Sequence, residues 1–242
     1  FLKICNFMTE EGKQYKIFGR RKGKSLSNLQ KEYFKNYIND FSIFKTNDDG
    51  ALNLRKINPK ELFDGIEDIR LEIGFGMGDF LFEKALAHPN VGFVGCEVFE
   101  NGVASLLAKI IKFRISNIRI HFGNCLDLIH NFNCLTLNKI YILFPDPWPK
   151  NKHKKRRFFN ENNSTYLCSL LKKNGTISIA TDIEDYANQI LGIMQSKDDF
   201  NYIDSNFFQT EKKIKKNLDT KYQQKALKFG RKINYLNFKK ND

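Results

Sequence analysis

The chain is predicted to fold as an α/β protein built on a mostly parallel, seven-stranded sheet with helices on both faces. Three observations predict it. Short apolar runs alternate with amphipathic stretches of roughly 10–15 residues, the rhythm of β-α-β units. Several of those runs are apolar without polar alternation, as expected of strands covered on both sides. A glycine-rich turn and a series of carboxylates follow the ends of these runs, at the edge where open parallel sheets collect their ligands.

Taken in order, IRLEI from Ile69 reads as the first strand. It runs into Gly74, Gly76 and Gly78 and then a helix, DFLFEKALAH, stopped by Pro89. VGFVGCE (91–97) is the second strand, NGVASLLAKIIKF an amphipathic helix, NIRIHF (117–122) the third strand and CLDLIHNF a short helix. KIYILF (139–144) is the fourth strand. A helix is expected over about 160–172, ending near Asn174-Gly175, followed by GTISIAT (175–181) as the fifth strand and IEDYANQILGIMQS as the last helix. FNYIDSNFF (200–208) and KINYLNF (232–238) supply two late strands, and the charged stretch from Glu211 towards Phe229 reads as a long loop.

Upstream of the sheet, residues 1–60 read as a basic N-terminal arm and extension, with 61–242 as the domain that holds the sheet. Arg20, Arg21, Lys22 and Lys24 give a basic arm over 1–24 between flexible glycines. Ser27 is a candidate cap for a following helix, although no Glu stands three residues on. The chain opens on Phe1 rather than Met, and its native N-terminus is expected upstream.

Composition narrows the partners. The chain has 242 residues, and 40 Lys+Arg against 27 Asp+Glu give a formal charge of +13, which favours a polyanionic partner. Five cysteines with no C-x-x-C pattern suggest neither a disulfide framework nor a zinc site. They read as small buried hydrophobes in a reducing, cytoplasmic setting. No apolar run approaches the ~18 residues that span a bilayer. No metal and no membrane are expected, and monomer and homodimer both stay open.

The glycine loop is G-x-G-x-G preceded by Glu72, not the G-x-G-x-x-G dinucleotide fingerprint, which argues against a nicotinamide oxidoreductase. Glu97 closes the second strand, where a carboxylate accepts from both hydroxyls of an adenosine ribose. The pattern fits a nucleoside cofactor without pyrophosphate, such as S-adenosylmethionine, with Glu72 near its amino-acid end. Further along, IYILFPDPWPKNKHKKRR (140–157) ends an apolar strand on Asp146, held between Pro145 and Pro147. Trp148 and six cations within Lys150–Arg157 follow. Trp148 is either a base-stacking platform or an ordinary core aromatic. The cations suit a phosphate backbone.

These stretches together carry a resemblance. LEIGFGMG (71–78), GCEVFENGV (95–103), LFPDPWPKNKHKKRR (143–157), ATDIEDYA (180–187) and TKYQQKA (220–226) resemble, in family order, the bacterial tRNA (guanine-N7)-methyltransferases. The resemblance implies a Rossmann-like class I S-adenosylmethionine-dependent methyltransferase fold. It also implies methylation of N7 of the guanine at position 46 in the tRNA variable loop. Glu72, Gly74, Gly76, Gly78, Glu97 and Asn124 then fall at cofactor-binding positions and Asp146 at the catalytic one. Lys150, Asp182, Thr220, Lys221, Tyr222 and Gln223 fall at substrate-binding positions. Asn124 stands where an aspartate is common, and Gln223 where Glu is usual. The D-P-P-W-like order of Pro145–Trp148 keeps a methyltransferase of exocyclic amines as one alternative. A catalytically silent RNA-binding subunit is another, which the intact glycine triplet and Glu97 argue against.

Overall fold

The computed structural model describes residues 19–45, 52–203 and 228–242. The sheet strands are β1 (Asp68–Ile73), β2 (Val91–Glu97), β3 (Ile118–Phe122), β4 (Leu137–Leu143), β5 (Leu171–Thr181), β6 (Phe200–Ile203) and β7 (Asn234–Lys240). The helices are α1 (Asn28–Phe41), α2 (Asp79–Ala87), α3 (Glu100–Phe113), α4 (Cys125–Asn131), α5 (Glu161–Leu170) and α6 (Glu184–Gln195). The strand order is β3-β2-β1-β4-β5-β7-β6. β1 to β5 run parallel, and β7 is antiparallel to both β5 and β6. Chain direction across the sheet reverses between β1 and β4, the switch point at which the carboxyl ends leave a crevice.

Both faces of the sheet are covered, which is why the strands read as continuous apolar runs. Leu71, Ile140, Ile142, Ile177 and Ile179 pack on one face with Leu128, Leu167 and Ile190 of α4, α5 and α6. Phe93, Ile118 and Ile120 pack on the other with Leu81, Leu106 and Ile110 of α2 and α3. Phe34, Ile38 and Phe41 of α1 extend that second layer.

Four differences from the sequence reading have physical causes. Ser27 does cap α1, and Gln30 takes the reciprocal place that a Glu would fill, completing a capping box. The helix expected to reach Asn174 ends at Leu170. Leu171 is already extended (φ −73°, ψ 133°) and pairs with Leu137, so the strand begins at once. Asn174 (φ 60°) turns within β5 rather than capping a helix. The basic run, read from sequence only as a cationic stretch after the strand, folds into a 3-10 turn, Asn151–Arg156. The described part of the 1–60 segment packs on the sheet domain. Ser42 bridges Ile120 and Ile57 bridges Phe132, and Ile43, Phe44 and Ile57 are buried. Residues 1–18 of the arm, the second half of the stretch 200–208 and Thr220–Gln223 lie outside the described residues.

Candidate active site

The glycine loop joins β1 to α2. Gly74, Gly76 and Gly78 all have positive φ (73°, 56° and 72°), a region where a side chain is strained. Cβ atoms on Gly74 and Gly76 would meet nothing within 4 Å, so the loop is open towards solvent at the crevice. Its other side is tight. A Cβ on Gly102 of α3 would lie 2.0 Å from the Gly76 carbonyl oxygen, so Gly102 lets α3 press directly against the loop. Sequence reading missed that glycine, although it lies inside the GCEVFENGV stretch.

Three acids surround the crevice. Glu97 Oε2 accepts from Gly76 N–H at 2.6 Å, and its Oε1 accepts from Val98 N–H at 2.7 Å and Phe99 N–H at 3.0 Å. The carboxylate thereby ties the glycine loop to the end of β2. Burial raises its pKa, and the three N–H donors oppose that rise. Glu72 is 2% exposed, and its Oε2 has no hydrogen-bond partner among the described residues. Burial, and then the charges of Glu97 and Asp79, push its pKa up to about 8. Asp146 lies exposed at the rim, yet neighbouring protein atoms crowd its carboxyl enough to raise its pKa as well. A buried carboxyl without a donor is costly unless it stays protonated or meets a cation.

A cavity of about 340 Å³ opens beside Glu97, lined by Gly74, Glu97 and Asn124 and by the cations Lys155, Arg156 and Arg157 among others. Asn124 is the N-cap of α4, its Oδ1 accepting from Leu126 N–H at 3.1 Å. Asn serves as well as Asp at a cap.

The loop after β4 presents Asp146 under strain. Phe144 (φ 53°) and Trp148 (φ 41°) both adopt the left-handed region, which costs a bulky residue of order 1–3 kcal/mol each. Phe144 N–H donates to Ala180 O at 2.7 Å and anchors one flank to β5. The guanidinium of Arg156 lies 5.0 Å over the Trp148 ring and His153 meets its edge, so Trp148 packs within its own loop. Lys150, Lys152 and Lys155 are exposed. Arg157 is not. It is buried and bonded internally, as is, more exposed, Lys154 through Asp185. The expectation that all six cations grip phosphate is corrected accordingly. A guanidinium with 1% exposure cannot reach a phosphate in solution.

Asp182 lies at the end of β5, where Arg231 Nη1 donates to its Oδ2 at 2.8 Å. The lysine- and arginine-rich arm is tethered to the same crevice. Arg21 O accepts from Glu100 N–H at 2.9 Å, Gly23 N–H donates to Asn101 Oδ1 at 2.7 Å and Asn101 Nδ2 donates to Lys24 O at 2.6 Å. A Cβ on Gly19 would stand 3.3 Å from Asp146 Oδ2, so the arm passes close by the loop after β4. The sequence signalled its charge but not its anchor, Asn101.

The chain is similar to known proteins in sequence and in fold. A family described as "Putative methyltransferase" matches residues 67–236. A tRNA (guanine-N(7)-)-methyltransferase of Roseobacter denitrificans is 35% identical over 222 residues, covering 92% of this chain and 94% of that protein. The chain belongs to the tRNA (guanine-N7)-methyltransferase family. A Rickettsia conorii "Bifunctional methyltransferase" is 39% identical over 215 residues, which cover 88% of this chain and 38% of that longer protein. The 16S rRNA methyltransferase KamB superposes with a TM-score of 0.54 at 11% identity, over 82% of this chain and 95% of KamB. That similarity supports the Rossmann-like class I methyltransferase fold and nothing finer. In this family member, no described helix is long and apolar enough to cross a membrane, and the described residues hold no group of three or more metal-ligating side chains.

Proposed function

We propose that the chain transfers the methyl group of S-adenosylmethionine to N7 of a guanine in tRNA, at position 46 of the variable loop. The observation that carries this reading is the acid-rich crevice. Glu72, Glu97 and Asp146 have raised pKa values about an open glycine loop, while Lys150 and Lys152 are exposed and Lys155, also exposed, lines the cavity that Glu97 lines. The crevice suits a cationic cofactor, and its surroundings suit a polyanion. Residues 61–242 form the catalytic domain in this reading, and the segment before them supplies the basic arm.

The residues present fit that cofactor. Oε2 of Glu72 lacks a donor among the described residues, and the glycine loop leaves space where side chains would intrude. Glu72 would hold its cationic amino-acid end. Glu97, already fixed by three N–H groups, would accept from the ribose. Gly74, Gly76 and Gly78 would let the backbone pass close, and Asn124 would line the adenine side. When bound, S-adenosylmethionine supplies an electrophilic methyl group on a positively charged sulfur.

Guanine N7 carries a lone pair and no proton, so the chain needs no general base. Its task is alignment. Asp146 orients the base and offsets the positive charge that the purine acquires. Asp182, released from Arg231 or shared with it, is the second acid able to do so. Lys150 and the other exposed cations hold phosphates. Thr220, Lys221, Tyr222 and Gln223 are proposed as substrate contacts from the family pattern. N7 lies on the major-groove edge, deep and narrow in A-form RNA, so the guanine must come from an irregular region. The test is transfer of labelled methyl to unmodified tRNA, followed by mapping of the modified atom. Undiminished transfer to tRNA whose variable-loop guanine is replaced would refute the assignment, and a methylated exocyclic amine would favour the rival methyltransferase.

A further inference from the structure

We propose that Arg157 is a positioning residue: with Asp185 and Gln189 it clamps the loop that carries Asp146, and it is not a ligand of the nucleic acid. The inference rests on the reading of Asp146 as the acid that faces the target base. It reassigns the residue that sequence alone placed at the end of a phosphate-binding run.

The contacts are specific. Arg157 Nε donates to the carbonyl of Pro147 at 2.8 Å, the residue directly after Asp146. Nη1 donates to Gln189 Oε1 at 2.7 Å and Nη2 to Asp185 Oδ2 at 2.5 Å, both on α6. The guanidinium lies 4.7 Å over the ring of Tyr186, whose hydroxyl accepts from Phe159 N–H at 2.9 Å. Lys154 adds a second bond to Asp185, on Oδ1 at 2.8 Å. These two cations pull the Asp185 carboxyl below its usual range. Only a planar fork can reach a carbonyl, an amide oxygen and a carboxylate at once while stacking on a ring, and a lysine cannot.

The loop needs such a clamp. Proline rings restrict Pro145 and Pro147, and Phe144 and Trp148 are both held at positive φ. The Phe144 N–H bond to Ala180 fixes the side towards β5. The Arg157 bond to Pro147 fixes the other side to α6. That helix starts just after Asp182, so one clamp sets the spacing of both candidate guanine-facing acids. Misplacement of such a group by about 1 Å can cost on the order of 100-fold in rate.

The experiment compares Arg157→Lys, Asp185→Asn and Lys152→Gln with wild type. It measures kcat and KM on tRNA at several salt concentrations, cofactor Kd by calorimetry, and thermal melting. Arg157→Lys keeps the charge and loses the fork. It is expected to lower kcat roughly 10- to 100-fold, with cofactor Kd within about threefold and an unchanged slope of log kcat/KM against log salt. Asp185→Asn, at an exposed side chain, should show a smaller loss of the same kind. Lys152→Gln should instead raise KM and reduce the salt slope by about 1, the signature of a lost phosphate contact. Added guanidinium ion should partly restore kcat to Arg157→Ala. A reduced salt slope with unchanged kcat in Arg157→Lys would overturn the proposal in favour of phosphate contact. So would equal loss of kcat and cofactor binding, which marks a general structural defect. If Arg157 variants fail to fold, Asp185→Asn decides, and an unchanged kcat there overturns the clamp. Failure of wild type to methylate tRNA would refute the proposed function itself, a result separate from any ratio between variants.

Discussion

If Glu72 holds the cofactor as proposed, cofactor binding should release a proton. Its carboxyl is buried, faces Glu97, has an Oε2 without a donor among the described residues, and has its pKa pushed up to about 8. At pH 7 about 0.9 of the free protein therefore carries the Glu72 proton, at pH 8 about half, and at pH 9 about 0.1. A bound cation beside it favours the ionised form, so binding at pH 7 should expel close to one proton. The affinity for S-adenosylmethionine should then strengthen by up to about tenfold per pH unit between pH 6 and 7 and level off above 8. Calorimetry in buffers of different ionisation enthalpy reads the proton directly. Glu72→Gln provides the control, because it removes the titrating group and leaves the cofactor's own titration. Folding stability carries the same signature with a definite sign. The folded form keeps a proton that the unfolded chain loses near the ordinary carboxyl pKa of 4.5, so stability falls as pH rises from about 4.5 to 8. The slope is at most about 1.4 kcal/mol per unit, and the Gln variant should flatten it. Binding enthalpies identical in all buffers, with a Kd flat from pH 6 to 8, would refute the reasoning.

Other expectations follow from the same geometry. Asp146→Asn should lower kcat on saturating tRNA on the order of 100-fold while leaving cofactor Kd nearly constant; full kcat in steady-state assays would remove Asp146 from the reaction. Gly102→Ala places a methyl 2.0 Å from the Gly76 carbonyl oxygen, so it should destabilise by about 1–3 kcal/mol and weaken cofactor binding, read by melting and calorimetry. Asn101→Ala removes both the acceptor for Gly23 N–H and the donor to Lys24 O, and trypsin should then cut at Arg20–Lys24 faster than in wild type. Equal cleavage rates would show that the arm is held by something else.

The seven strands and the six helices were legible because their signals are local. Strand apolarity reports burial on both faces, and glycines before a helix report a turn that needs positive φ. The helix end at Leu170 was not legible. Asn174-Gly175 has the composition of a helix stop, yet it serves a turn inside β5, and only pairing of Leu171 with Leu137 decides between them. The candidate site followed the same division. Glu97 and Asp146 could be placed because Glu97 ends a strand and Asp146 follows the end of another. Arg157 could not, because Lys155, Arg156 and Arg157 are consecutive and chemically alike. What separates them is a partner 28 residues away, Asp185, and burial beneath the loop. Asn101 and Gly102 were likewise silent, since their roles depend on the arm and the Gly76 carbonyl approaching from elsewhere.

The division of the basic run explains how a chain of net charge +13 can hold a cation at its centre. Exposed Lys150, Lys152 and Lys155 face solvent, where a polyanion gains from them at long range and loses that gain with salt. Arg157 and Lys154 spend their charge on Asp185. The crevice itself holds Glu72, Glu97 and Asp146. Glu97 and an ionised Glu72 favour a sulfonium or an ammonium at the glycine loop, while Lys155, Arg156 and Arg157 also line the cavity that Glu97 lines. In the proposed reading the carboxylates draw the cationic cofactor and the exposed lysines hold the polyanion. Moving one of the exposed lysines' charges inward, for instance by Asn124→Lys, should weaken cofactor binding more than any single change to the rim weakens it, and calorimetry on the two variants side by side measures that contrast.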